Sequence, residues 1–319
     1  MRDGIFDSSL AAIGDTPLVR LRRLVPGSSA QILVKIEAGN PTGSYKDRMA
    51  LAIIEEAERR GALRPGQRVV EYSGGSTGSS LAYVCAVKGY PCTIVSSDTF
   101  SQEKIRTMRA FGADVVLVPS DNGLITPDLF HRMRQVLDSI VIDHDAYWTD
   151  QFHNTDALIG YDTLARELLQ QTQNGGVAID AFCAAVGTGG MLAGVSRALK
   201  EHLPGVSITA LEPTTSPMLT AGHAGPHHVE GIATGIVPPL LSSNLYDQAL
   251  TIDEEDARAL ALPLARQEGI FAGTSSALNI AGALHLAREL GPGRTVVTVA
   301  CDTGLKYLTG DLYESGPDN

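Results

Sequence analysis

The chain has 319 residues, 44% hydrophobic and 19% charged, the balance of a folded globular enzyme large enough for two α/β lobes. Its 36 acidic against 25 basic residues leave a formal charge of −11, and no run of Lys and Arg supplies the basic footprint that nucleic-acid binding needs. No stretch of about 18 apolar residues offers a membrane span, and the opening "MRDGIFDSSLAAIGDTPLVRL" lacks the apolar core of a signal peptide.

In chain order, short runs rich in β-branched residues alternate with longer helical ones. "QILVKIE" (31–37), "QRVVEYS" (67–73), "PCTIVSS" (91–97) and "DVVLVPS" (114–120) read as strands. Between them, "YKDRMALAIIEEAERRG", "STGSSLAYVCAVKG" and "SQEKIRTMRAFGA" read as helices that stop at or near a glycine. A second set follows, with strands "IDAFCAAVG" (179–187), "SITALEP" (207–213), "QALTID" (248–253) and "RTVVTVACD" (294–302). Its helices are "DALIGYDTLARELLQQT", "GMLAGVSRALKEHL", "EEDARALALPLARQEG" and "SALNIAGALHLAREL". Pro263 should kink or break the third of these, and the polar tail "ESGPDN" should fray. The βαβ rhythm implies mostly parallel sheets flanked by helices. The expected division is a smaller lobe over 36–150 and a larger one over 1–35 plus 151–319, with the active cleft between them. Cys85, Cys92, Cys183 and Cys301 have apolar neighbours and no C-x-x-C, so they read as reduced core residues of a cytoplasmic protein.

Three glycine-rich turns and one lysine stand out. In "VGTGGMLAGVSRALK" a buried strand ends at Val186, and Gly187, Thr188, Gly189 and Gly190 open a helix. Small residues there let backbone N–H groups converge at the positive end of a helix dipole, a cup suited to phosphate. The spacing matches neither the dinucleotide fingerprint nor a P-loop. "EYSGGSTGSSLAYV" repeats the design, with Ser73, Gly74, Gly75, Ser76, Thr77 and Gly78 suited to a carboxylate. "FAGTSSALN" brings Ser275 and Ser276 to a third helix start. Lys46 follows the turn-rich "NPTGSY" and opens the apolar "MALAII". Taken singly, each has a plain structural reading: a capped strand-to-helix turn, or an exposed lysine in a first helical turn. One cofactor, pyridoxal phosphate, requires all four pieces: a lysine for its aldehyde, a phosphate cup, a polar partner for its ring nitrogen, and a seat for the substrate carboxylate. His223, His227 and His228 in "AGHAGPHHVEG" read as a solvated loop rather than a metal site.

The ordered set "IGDTPLVRL", "NPTGSYKDR", "GGSTG", "DQFHN", "VGTGG", "HHVEGIATGIVP" and "AGTSS" resembles the cysteine synthase and cystathionine β-synthase family, the fold type II (tryptophan synthase β-like) pyridoxal-phosphate enzymes. The resemblance is closest to O-acetylserine sulfhydrylases and covers essentially the whole chain. It implies that Lys46 holds the cofactor covalently and that Gly187, Thr188, Gly189, Gly190 and Met191 hold its phosphate. Ser275 would meet the pyridine nitrogen, and Ser76 would face the cofactor's phenolic oxygen. Ser73, Gly74, Thr77 and Gln151 would bind the substrate carboxylate, and Gly231 would line the cofactor's other edge. The implied reaction is β-replacement on an activated serine through an aminoacrylate, giving cysteine or a related β-substituted alanine. The alternatives are a serine- or O-phosphoserine-using β-synthase and a β-eliminating lyase or dehydratase. The implied partners are a small amino acid and a small nucleophile, and the implied assembly is a homodimer. No regulatory domain or haem-binding extension is expected.

Three segments depart from the family pattern. The family's Thr-Ser-Gly-Asn-Thr reads Ser73-Gly74-Gly75-Ser76-Thr77, so a short hydroxyl replaces an amide at Ser76. Its Gly-Ile-Gly-Ala-Gly reads Gly231-Ile232-Ala233-Thr234-Gly235, and its Pro-Ser-Ser-Gly-Glu-Arg-Tyr reads Cys301-Asp302-Thr303-Gly304-Leu305-Lys306-Tyr307. These changes bear on substrate choice more than on the cofactor seat.

Overall fold

The computed structural model describes residues 4–124 and 126–314; the tail from Ser315 onward lies outside the described residues. Ten strands occur in it: β1 Leu18–Arg20, β2 Gln31–Ile36, β3 Val69–Tyr72, β4 Cys92–Ser97, β5 Asp114–Val118, β6 Tyr147–Trp148, β7 Ala181–Ala185, β8 Ser207–Pro213, β9 Gln248–Ile252 and β10 Thr295–Ala300. The chain divides into two compact units. One comprises the residues up to Ile13 with Asn40–Gly160, and the other Gly14–Gly39 with the chain from Tyr161 onward.

The first unit holds a four-stranded parallel sheet in the order β5-β4-β3-β6. Alternation along the strands separates two cores. Val69 and Ile94 face one side, with Ala50, Ile54, Leu81 and Val84 from the helices Lys46–Arg59 and Ser76–Lys88. Val70 and Val95 face the other, with Leu129, Met133 and Leu137. Those last three belong to a helix, Pro127–His144, that is not among the elements expected above. Its ingredients are nonetheless local. Thr126 accepts a hydrogen bond from Leu129 N at 3.1 Å as an N-cap, and the buried residues recur at i, i+4 and i+8.

The second unit holds a six-stranded sheet, β1-β2-β10-β7-β8-β9. Only β1 against β2 is antiparallel; the remaining pairings are parallel. Both β1 and β6 are two or three residues long, too short for a periodic signal. Fully buried Lys35 on β2 is neutralised by Glu167 at 2.7 Å and also donates to the carbonyl of Thr16 at 2.7 Å. A buried charge is tolerated only with such partners. At Pro263 the expected break occurs: the helix Glu254–Ala259 gives way to a short turn, Ala261–Pro263, and then a π-type turn, Leu264–Glu268. All four cysteines are buried and free.

The helix Thr274–Leu290 packs on β7 and β10 and is pinned by fully buried Asn279. Its Oδ1 accepts from Ala185 N at 2.7 Å, and its Nδ2 donates to Val299 O at 2.8 Å, beside the ends of both strands. Asn279→Ala leaves a buried donor and a buried acceptor unpaired, so it should lower unfolding free energy by about 2–4 kcal/mol. Urea denaturation checks this; a loss under about 0.5 kcal/mol would show that the side chain is dispensable.

Candidate active site

In the first unit Lys46 is the opening residue of Lys46–Arg59 and is only 7% exposed, so the reading of it as a solvated first-turn lysine does not hold. Its Nζ lies 5.1 Å from the centre of the Tyr45 ring. What fixes it is the next residue. Asp47 is fully buried; its carboxylate accepts from Thr42 N at 2.8 Å, Thr42 Oγ1 at 2.5 Å and Ser80 Oγ at 2.6 Å. One side chain thus ties the preceding loop to the first turn of the lysine's helix and both to the helix Ser76–Lys88. An acidic group in a first turn is also favoured by the helix dipole.

The loop after β3 is folded by Ser73, whose Oγ accepts from Gly75 N at 3.1 Å and Gly78 N at 3.2 Å. The helix Ser76–Lys88 then starts at Gly75 without a side-chain cap. A methyl at Gly74 would lie 2.6 Å from the Phe100 ring, one at Gly75 2.5 Å from the Lys104 chain, and one at Gly78 2.7 Å from Met108. The glycines therefore admit the segment 100–108 against the loop. From sequence, Gly74 reads as a hydroxyl lost from the carboxylate seat; here it is also required by Phe100. Thr77 Oγ1 donates to Gln151 Oε1 at 2.7 Å, and Gln151 Nε2 donates to Tyr72 O at 3.1 Å. Ser73, Thr77 and Gln151 are thereby brought together. Beneath them lies Glu71, absent from the candidates above, which accepts from Gln151 N at 3.0 Å. Burial pushes its carboxyl up to about 7.

In the second unit β7 leads through Val186 into Gly187, Thr188 and Gly189, and the helix Gly190–His202 follows with no side-chain cap. A methyl at Gly187 would stand 2.3 Å from the Gly231 carbonyl oxygen, and one at Gly189 2.9 Å from Leu241 and Pro238. Gly189 also has φ +79°, which glycine adopts without penalty. Val186 O accepts from Ala233 N at 2.9 Å, and Glu230 N donates to Thr274 Oγ1 at 3.1 Å. The 230–233 loop so joins the cup to the start of Thr274–Leu290, where Ser275 is buried. Gly187, Gly231 and Ser275 therefore cluster. Ala233 has φ +47° where the family pattern carries glycine, a strain of about 1–2 kcal/mol. Gly273 leaves room for Tyr307 and Asp302, whose side chains hydrogen-bond at 2.9 Å; burial raises the Tyr307 phenol well above its usual range. His227 Nε2 lies 3.0 Å from Ala233 O, and His228 N donates to Glu254 at 2.7 Å, so both hold the loop. Among the described residues no group of three or more His, Cys, Asp or Glu is arranged for a metal ion.

These features fit pyridoxal phosphate. The helix Gly190–His202 begins with uncapped N–H groups and a floor of bare backbone, as a phosphate needs. Thr188 and Ser275 stand at buried positions beside the starts of the two helices, and Lys46 is a buried primary amine. The tie at Asp47 is open to test. Asp47→Asn loses a charged acceptor shared by three donors and should cost about 2–3 kcal/mol of stability. An unchanged urea midpoint would contradict the tie.

Residues 10–302 match the family described as "Pyridoxal-phosphate dependent enzyme". The chain is 40% identical to a cysteine synthase of Staphylococcus aureus (strain Mu50 / ATCC 700699) over 308 residues, 96% of this chain and 97% of that protein. Among solved structures, an O-ureido-L-serine synthase superposes with a TM-score of 0.91 at 36% identity, covering 99% of this chain and 98% of that one. A hydrogen sulfide-producing enzyme from Fusobacterium nucleatum superposes with a TM-score of 0.87 at 34% identity, covering 95% and 100%. Fold, chain-long similarity and the fit of both residue sets agree, and the chain belongs to the pyridoxal-phosphate-dependent enzymes of the cysteine synthase type, with pyridoxal phosphate as its cofactor.

Proposed function

We propose that this protein replaces the β-substituent of an activated serine such as O-acetylserine with a small nucleophile such as sulfide, giving cysteine or a related β-substituted alanine. The observation that carries this reading is the pairing, within one unit, of buried Lys46 with the Ser73, Thr77 and Gln151 cluster: an amine for the cofactor and a seat for an amino acid's carboxylate. Pyridoxal phosphate, when bound, withdraws electrons from the amino acid's α-carbon and so eases loss of the β-substituent. The chain supplies the rest. Lys46 Nζ would hold the cofactor's aldehyde and, as a free amine, would be the base for the α-proton. The backbone of Gly187, Thr188, Gly189, Gly190 and Met191 holds the phosphate. Ser73, Gly74, Thr77 and Gln151 orient the carboxylate, while Ser76 and Gly231 line the cofactor. The Ser275 hydroxyl would meet the pyridine nitrogen. A hydroxyl there would be a weaker proton source than a carboxylic acid, a placement that suits expulsion of a good leaving group.

A second reading takes serine or O-phosphoserine as donor, or ends in β-elimination. Its O-phosphoserine arm is favoured by buried Lys104, whose chain lies against Gly75 of the carboxylate loop. We also propose a cytoplasmic homodimer. Four buried free cysteines support the reducing compartment, and the dimer rests on family resemblance.

Spectral titration of the loaded enzyme separates these readings. O-acetylserine should shift the visible band of the lysine-bound cofactor and release acetate; O-phosphoserine or serine acting instead selects the second reading, and no response to any amino acid rejects both. Product analysis with sulfide, homocysteine and ammonia names the acceptor. Lys46→Ala should remove the band and lower turnover at least ~1000-fold; retention of both would overturn the role of Lys46. Gly187→Ala should weaken cofactor retention about tenfold, ~1.4 kcal/mol, and unchanged retention would place the phosphate elsewhere.

A further inference from the structure

Glu71 has no part in the chemistry above, yet its surroundings are built for one charge state. It is fully buried on β3. Oε1 accepts from Tyr72 N at 2.9 Å and Trp148 Nε1 at 3.2 Å, and Oε2 accepts from Thr149 Oγ1 at 2.6 Å and Gln151 N at 3.0 Å. All four partners donate. Two backbone N–H groups and an indole N–H can do nothing else, so a side chain that only accepts suits them best. A glutamine turns an N–H toward a backbone N–H, and a protonated carboxyl keeps a weaker acceptor on the oxygen that carries the proton. Among the described residues Glu71 has no ion-pair partner. An isolated buried ion is costly, and a pocket serving structure alone is filled more cheaply by an apolar side chain.

What hangs on this carboxylate is the turn that carries Gln151. Thr149 and Gln151 are both held by Oε2, and Gln151 in turn accepts from Thr77. We propose that ionised Glu71 is a positioning residue that sets Gln151, and through it Thr77, for the substrate carboxylate, so that affinity for the donor amino acid follows the protonation state of Glu71. This rests on the reading of Gln151 and Thr77 as part of the carboxylate seat.

Burial holds the Glu71 carboxyl up to about 7, inside the working range of such an enzyme. The titratable and charged groups around the pocket are Tyr72 on the same strand, Tyr147 on β6, Arg134 and Asp138 on Pro127–His144, and Asp150 and His153 in the turn. The Arg134 guanidinium stacks on the Trp148 ring at 3.8 Å, and Asp150 pairs with His153 at 2.8 Å. None forms an ion pair with Glu71, so its protonation is not masked by an attached cation. Above about pH 7 all four donors are satisfied. As pH falls through that value, a new O–H forms. Thr149 can rotate to accept it, which leaves Gln151 N only the weaker lone pair of a hydroxyl oxygen, and the turn is held less firmly.

The test is steady-state kinetics of the loaded enzyme across about pH 6 to 8, with wild type, Glu71→Gln and Gln151→Ala, using O-acetylserine and sulfide. In wild type the donor KM should rise about tenfold from about pH 8 to about pH 6. Glu71→Gln should hold the raised KM throughout, so subtracting its profile removes the donor's own titration. Its visible cofactor spectrum and the KM for sulfide should stay within about twofold of wild type. A general loss of structure would instead move the cofactor spectrum and kcat together. If Gln151→Ala leaves the donor KM unchanged, the carboxylate reading itself fails. If Gln151→Ala raises it while wild type shows no Glu71-dependent rise, the role of Glu71 alone fails. Should Glu71→Gln not fold, the wild-type profile decides: a donor KM flat over this range overturns the proposal.

Discussion

A carbonyl oxygen stands 2.3 Å from the point where a side chain at position 187 would begin. That contact, Gly231 against Gly187, is the constraint on which the second unit's site depends. It lets a loop close over the strand-to-helix turn without placing any side chain in the cup, so the first N–H groups of Gly190–His202 remain for an anion. The first unit solves the same problem with different neighbours. There Gly74, Gly75 and Gly78 admit Phe100, Lys104 and Met108, and Ser73 rather than a helix cap folds the loop. In both, backbone is left bare by glycines whose necessity comes from packing on the far side.

Buried charge is handled in three ways, each suited to its place. Lys35 is neutralised by Glu167 and serves the architecture of its sheet. Asp47 is surrounded by hydroxyl and amide donors and fixes the turn that opens the lysine's helix. Glu71 also has donors only, and burial pushes its carboxyl up to about 7. The first two hold the fold under ordinary conditions; the third is poised to respond to them.

Much of this was legible in the residues. Parallel strands announced themselves as β-branched runs between helical segments, and Pro263 marked its own break. The helix Pro127–His144 was equally local, with a Thr-Pro start and buried residues at helical spacing, yet a polar, charge-rich face obscures it beside the apolar runs on either side. Lys46 could be singled out only because three distant turns asked for the same cofactor; its burial follows from Asp47, whose partners lie 5 and 33 residues away. Glu71 could not be found this way. In "VVEYS" it is one more alternating residue of a strand, and its meaning comes from donors on Trp148, Thr149 and Gln151, more than 70 residues on. Gly74 was visible as a departure but not explicable, since Phe100 is fixed against it only by the fold.

The central claim is that one lysine, held by its neighbour Asp47, carries the cofactor. Borohydride reduction of the loaded enzyme, followed by peptide mapping of the modified lysine, addresses it directly. The account predicts a single pyridoxyl group on Lys46. Modification at Lys35, Lys88, Lys104, Lys200 or Lys306 in place of Lys46, or no covalent label on a fully loaded enzyme, would contradict it.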